Sequence, residues 1–280
     1  MSSDALPAPA PVTLREVALA AGVSVATASK ALNGQGRMTA ETRERIRETA
    51  QRLGFRPNSL AQSLLRKRSF TVGLLTNDTY GRFSLPLMAG VSDALVDAGV
   101  SVFLCNVEDD SRLGQLHVEA MLDKRVDGII ATGKRIDRHL PIDLSNLRIP
   151  VIYAFTQPDP GSVAFVSDDA GGARLAVEHF CGLGRRRIAH VSGPASFAVV
   201  RERGIGVPED VGVIGFDNWE IVAEATRPPL TSVDMNLATL GREAGLALLS
   251  LVGGQAAAPG IRKLPCRLVV RQSCGRPVGG

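Results

Sequence analysis

The chain has 280 residues, 45% of them hydrophobic and 21% charged, a balance that suits a folded soluble protein with one or two cores and excludes a wholly disordered chain. No apolar run approaches the length that crosses a bilayer, and the opening MSSDALPAPAPV lacks the basic and apolar regions of a secretory signal. The net charge of +4 is uneven: residues 1–68 hold 11 Lys/Arg against 5 Asp/Glu (+6) and the remainder 21 against 23 (−2), so a basic head suited to a polyanion joins a mildly acidic body.

Residues 1–11 read as a disordered Pro/Ala lead and 12–56 as a small all-α head. Leu14, Val17, Ala18 and Ala21 recur at i, i+3, i+4 and i+7, one face of a short helix for which Thr13 is the N-cap. Gly22 stands where a left-handed residue reverses the chain, and Ser24 caps a second helix two residues later. Two short helices joined by so tight a glycine turn are the signature of a helix-turn-helix. On the second helix, Ala28, Ala31 and Leu32 face inward. Val25, Ala26, Ser29, Lys30 and Asn33 form the opposite side, small enough to enter a major groove and carrying one charge. A third helix over Ala40–Leu53 turns Ile46, Ala50 and Leu53 inward and Arg43, Arg45, Arg47 and Arg52 outward. The competing reading is a three-helix bundle whose arginines are merely solvated.

Pro57 ends what precedes it and Asn58 can cap a further turn, so residues 57–69 are a hinge segment and linker closed by Arg66, Lys67 and Arg68. From Phe70 onward short apolar runs alternate with helical stretches. FTVGLLT, SVFLCNV, DGIIATG and IPVIYAF read as buried strands, and Leu85–Ala98 and Leu113–Lys124 as amphipathic helices between them. VAFVSDD, the helix Ala170–Leu183, RRIAHVSGP and VGVIGFDNW repeat the pattern, and the helix Leu237–Leu251 with two strands in IRKLPCRLVVRQS closes the chain. This βαβ alternation implies parallel sheets with helices on both faces. The expected boundary between an N-terminal and a C-terminal core subdomain lies at 160/161, with chain crossovers between the two.

VTLREVALAAGVSVATASKALNG followed by RLGFRPNSLAQSLL closely resembles, nearly continuously over residues 12–66, the DNA-binding head of the lactose-repressor/purine-repressor family. GVSDALVDAGV, VDGIIATG, SDDAGGARLAVEHF, RRIAHVSGP, VPEDVGVIGFDNW and PPLTSV resemble, in order, the same family's periplasmic-binding-protein-like core of two Rossmann-like subdomains around a ligand cleft. The resemblance implies that Val25, Ala26 and Lys30 read bases and that Thr27, Ser29 and Asn33 hold phosphates or flanking edges. With the caps Thr13, Ser24 and Asn58 and the hinge Leu64, these residues complete the expected DNA-binding set. Leu64 matches the leucine that the family wedges between base pairs in the minor groove; a core or dimer-contact leucine is the other reading of that position. The resemblance further implies double-stranded operator DNA as partner, a homodimer, a cytoplasmic location, and a sugar or sugar-phosphate effector, with no membrane association.

The effector positions it implies, just past strand ends as in open α/β sheets, are Asn77, Asp78, Phe155, Asp168, Asp217 and Trp219, with Arg203 as a candidate ligand arginine. For each, a capping aspartate or a packing aromatic is the alternative. The chain departs from the family in one place. Only residues 193–210 separate the strand ending at Ser192 from Val211, where the family has two more strand–helix units of roughly 60 residues in all, so the second subdomain is truncated near 195–207. GxSxG, P-loop and HExxH motifs are missing, and the four cysteines and four histidines show neither metal-ligand nor nucleophile spacing. The expectation is therefore a regulator rather than an enzyme, with no cofactor and no metal. A sugar-binding module and an internally deleted, poorly folding remnant are the rival readings.

Overall fold

The computed structural model describes residues 12–55, 68–185 and 203–275. The expected hinge with Asn58 and Leu64, the strand RRIAHVSGP, and all but the last residue of a helix expected around Phe197–Arg203 lie outside the described residues. The chain divides into two compact units, Met1–Lys67 and Arg68–Gly280, and the break falls inside the expected hinge and linker 57–69.

In the first unit α1 (Leu14–Ala20), α2 (Val25–Leu32) and α3 (Ala40–Arg52) form in the expected places, with Leu53 as the C-cap of α3. Their core consists of Val17, Ala18, Ala21, Ala28, Ala31, Ile46 and Ala50. Five of these seven are alanines, so the helices approach closely and little apolar area is available to hold them. Capping therefore matters more than usual. Gly22 has φ +64, the left-handed turn between α1 and α2 that a side chain would strain.

The second unit runs β1 (Thr71–Thr76), α4 (Ser84–Leu95), β2 (Ser101–Asn106), α5 (Ser111–Asp123), β3 (Gly128–Thr132), β4 (Val151–Ala154), β5 (Val163–Ser167), α6 (Asp169–Gly182), β6 (Ile214–Phe216), α7 (Glu220–Ala225), β7 (Thr231–Asp234), α8 (Leu237–Val252), β8 (Gly260–Leu264) and β9 (Arg267–Val269). A 3-10 turn over Val96–Ala98 ends the helix expected at Leu85–Ala98. A six-stranded sheet has the order β2-β1-β3-β4-β5-β8, and every pair in it is parallel. β3 and β5 are buried along their whole length, which is why they read as unbroken apolar runs. One face is covered by α4 and α8 through Leu87, Val91, Leu240, Ala244 and Leu248. The other is covered by α5 through Val118 and Met121.

The expected division at 160/161 does not separate the sheets. β5 pairs with β4, and β8 pairs with β5, so strands from both sides of that boundary share one sheet. The two closing strands part company as well: β8 ends the first sheet, whereas β9 joins a second sheet ordered β6-β7-β9. That second sheet is mixed, since β6 and β7 run parallel and β9 antiparallel to β7. α8 returns to the first sheet and lies directly on α4. A Cβ on Gly90 would collide with the Ala238 carbonyl, and one on Gly241 with the Leu87 carbonyl. Both positions require glycine because the two helix backbones touch there. Among the described residues no helix is long and apolar enough to cross a membrane.

Candidate nucleic-acid interface and core cleft

The head presents its candidate interface through caps. Thr13 accepts a hydrogen bond from the Glu16 amide at 3.3 Å, and its own amide donates to the Glu16 carboxylate at 2.7 Å, a reciprocal capping box. The bonds from the Thr13 amide and hydroxyl hold the Glu16 carboxyl below its ordinary pKa. Ser24 Oγ accepts from the Thr27 amide at 3.1 Å and lies 2.8 Å from the Thr27 hydroxyl. Thr13 and Ser24 are thus engaged as helix caps, and Thr27 is bonded to Ser24, each with acceptor capacity to spare.

The outward side of α2 is as expected. Val25, Ala26 and Lys30 are exposed, Ser29 and Asn33 half-buried, and Ala28 and Ala31 wholly buried. Lys30 makes no ion pair with any described residue, and its stem runs along Gly36. Asn33 follows α2 as its C-cap, and its amide donates to the Ser29 carbonyl at 2.9 Å. Arg43 donates to the Gly36 carbonyl at 3.2 Å and Arg47 pairs with Glu44, which leaves Arg45 and Arg52 as the freer cations of α3.

In the core, the expected effector residues separate into structural and cleft groups. Asp78 is buried and its carboxylate accepts from the amides of Phe83 at 2.7 Å and Ser84 at 2.9 Å, so it fixes the first turn of α4. Asp168 caps α6, accepting from the Gly171 amide at 3.1 Å. Asn77 donates to Asp109 at 2.9 Å, and Lys134 donates to the other oxygen of the same carboxylate at 3.1 Å. Those two bonds hold the Asp109 carboxyl below its ordinary pKa. The Asn77 carbonyl oxygen is buried and has no hydrogen-bond partner among the described residues. Arg203 is exposed and bonds to no described residue.

Phe155, Asp217 and Trp219 do come together, through a residue the sequence reasoning missed. Arg82 pairs with Asp217 and lies 5.2 Å from the Phe83 ring centre and 5.6 Å from that of Trp219. Phe83 in turn stacks on Phe155 at 5.3 Å. Arg82 follows β1, Phe155 follows β4 and Asp217 follows β6, so the cluster lies at the C-terminal ends of strands from both sheets, where open α/β folds bind ligands. Asp217 and Phe155 have φ +84 and +55, and such left-handed residues outside glycine gather at functional sites. Burial raises the Asp217 pKa; Arg82 opposes that rise and Asp169 adds to it. The only signal for Arg82 was its place, four residues beyond Asp78 in the loop after β1. Cys266, close to Asp168, Asp169 and Asp234, has its thiol pushed up to about 11 by burial and by those carboxylates, which keeps it protonated at neutral pH. Among the described residues no cluster of three His, Cys, Asp or Glu side chains could hold a metal ion.

A family model described as bacterial regulatory proteins, lacI family, matches residues 13–58, and one described as periplasmic binding proteins and sugar binding domain of LacI family matches residues 69–223. A third, described as a periplasmic binding protein-like domain, matches residues 195–274. The ribose operon repressor of Halalkalibacterium halodurans is 34% identical over 200 residues, 71% of this chain but only 59% of that protein. The catabolite control protein A of Priestia megaterium is 27% identical over 330 residues, covering 94% of this chain and 99% of the relative. Since the chain has 280 residues, at least 50 of those 330 aligned positions (330 less 280) have no counterpart in it. The fold matches a lac repressor dimer bound to operator and the anti-inducer ONPF, with a TM-score of 0.76 at 24% identity, covering 95% of this chain and 99% of that one.

Proposed function

Because the chain belongs to the LacI family of bacterial regulatory proteins, as the match over residues 69–223 establishes, we propose that it is a cytoplasmic repressor that binds a specific operator as a homodimer. One observation carries the reading. The outward face of a doubly capped helix-turn-helix is made of exposed small side chains and one exposed lysine, a shape that enters a major groove without steric conflict. In this reading Val25, Ala26 and Lys30 meet base edges. Thr13, Ser24, Thr27, Ser29 and Asn33 offer hydroxyls and amides to phosphates, which position without specifying. Asn58 and Leu64, outside the described residues, serve as hinge cap and minor-groove wedge.

The cluster of Arg82, Asp217 and Trp219 is the effector end of the same molecule, suited to a sugar or sugar phosphate through a guanidinium, a carboxylate and one open ring face. Of the expected effector residues, Asp78 and Asp168 serve the fold first. With the truncation near residues 195–207, as the sequence spacing implies, part of the second subdomain is lost and effector coupling falls well below the ~1–3 kcal/mol usual for allosteric proteins. Selection of full-length protein against a pool of random duplexes tests the proposal. Enrichment of an inverted repeat supports it, and a pool that stays random after repeated rounds overturns it.

A further inference from the structure

The contact between Arg82 and Asp217 joins two loops that belong to different sheets. Arg82 stands in the loop between β1 and α4, on the six-stranded sheet, and Asp217 stands between β6 and α7, on the three-stranded one. Their side chains are 35% and 26% exposed, so the pair is partly withdrawn from water and only partly screened. Trp219 and Phe83 both lie within cation–π distance of the guanidinium, one contributed from each side of the cleft. Asp217 is also pressed by Asp169. Burial and that neighbour disfavour the carboxylate where it stands, and Arg82 is the charge that opposes them.

We infer that Arg82 and Asp217 form a clasp across the cleft that holds the two sheets together when no small molecule is bound. Arg82 is its positioning residue: the guanidinium sits between Phe83 and Trp219 and presents itself to Asp217. A ligand entering between the sheets has to compete with this internal pair. The inference concerns the core by itself and stands whether or not the head binds an operator.

The test uses full-length protein without DNA or sugar. Cys181 is exposed and the other three cysteines are buried, so native Cys181 on α6 and an introduced Asp123→Cys at the end of α5 accept a pair of spin labels. The parent protein is expected to give one narrow distance distribution. Arg82→Met and Asp217→Asn each broaden it to longer distances, and the exchanged pair Arg82→Asp with Asp217→Arg restores the narrow peak. Amide exchange at Val222 and Ala223, which bond to the Trp219 carbonyl, speeds up by about tenfold in the single variants, the scale set by losing one charged hydrogen bond. Should Arg82→Met fold poorly, Asp217→Asn carries the test alone. A parent-like distribution in the single variants, or singles that broaden with an exchanged pair that does not recover, overturns the clasp.

Discussion

Replacing Lys30 with alanine separates base reading from simple charge attraction. Lys30 is exposed on α2, has no ion-pair partner among the described residues, and runs its stem along Gly36. The head therefore loses no internal bond in Lys30→Ala, and alanine is at least as good a helix former as lysine. A lysine that reaches a guanine edge contributes about 1–3 kcal/mol of discrimination, so specific affinity should fall by about 5- to 150-fold. Affinity for random duplex should change little. A lysine on a phosphate behaves differently: both affinities fall together, and the slope of log affinity against log salt drops by about 0.9. Fluorescence anisotropy titrations of the selected duplex and a scrambled one, at two salt concentrations, distinguish the outcomes. Equal losses on both duplexes, with the reduced slope, would refute the assignment of Lys30 as a base reader.

Three further outcomes follow from the packing. Ser24→Ala removes the bond from the Thr27 amide and should cost the head about 1 kcal/mol, seen as an earlier unfolding transition of the isolated 12–56 segment or of the head in the full chain. Gly241→Ala forces α8 off the Leu87 carbonyl, and overpacking of that kind costs about 1–3 kcal/mol, or some 2–12 °C in a core of this size by scanning calorimetry. Asp217 has a raised pKa, so its ionised form is disfavoured by folding; the stability it contributes is present below the ordinary carboxylate pKa and lost as pH rises through the raised folded value. The melting temperature of Asp217→Asn relative to the parent should therefore become more favourable as pH rises through the acid range, and a difference that does not change with pH would contradict the linkage.

The helix-turn-helix was legible because its determinants are local. Thr13, Gly22 and Ser24 each act within three or four residues of themselves, and the alanine faces of α1 and α2 fall at helical spacing. The six-stranded sheet was nearly as legible, since parallel strands buried on both faces read as apolar runs. Which sheet a strand joins was not written locally. β5 looks like any buried strand, and β8 and β9 are separated by Pro265 and Cys266 alone, yet they go to different sheets. The cleft was half legible. Strand ends pointed to Asp78, Asp168 and Asp217 alike, and nothing in the sequence distinguishes an aspartate that caps a helix, as Asp78 and Asp168 do, from one that meets an arginine 135 residues away. Arg82 escaped notice for the same reason: its meaning depends on a partner contributed by the other sheet.

The most direct test of the account is the specificity ratio of the full-length protein at physiological salt: its affinity for the selected inverted repeat divided by its affinity for random duplex of equal length. A dimeric operator reader should give a ratio of about a thousand or more, with two chains bound per duplex. A ratio near one, whatever the absolute affinity, would mean that the basic head binds DNA only as a polyanion and would contradict the account.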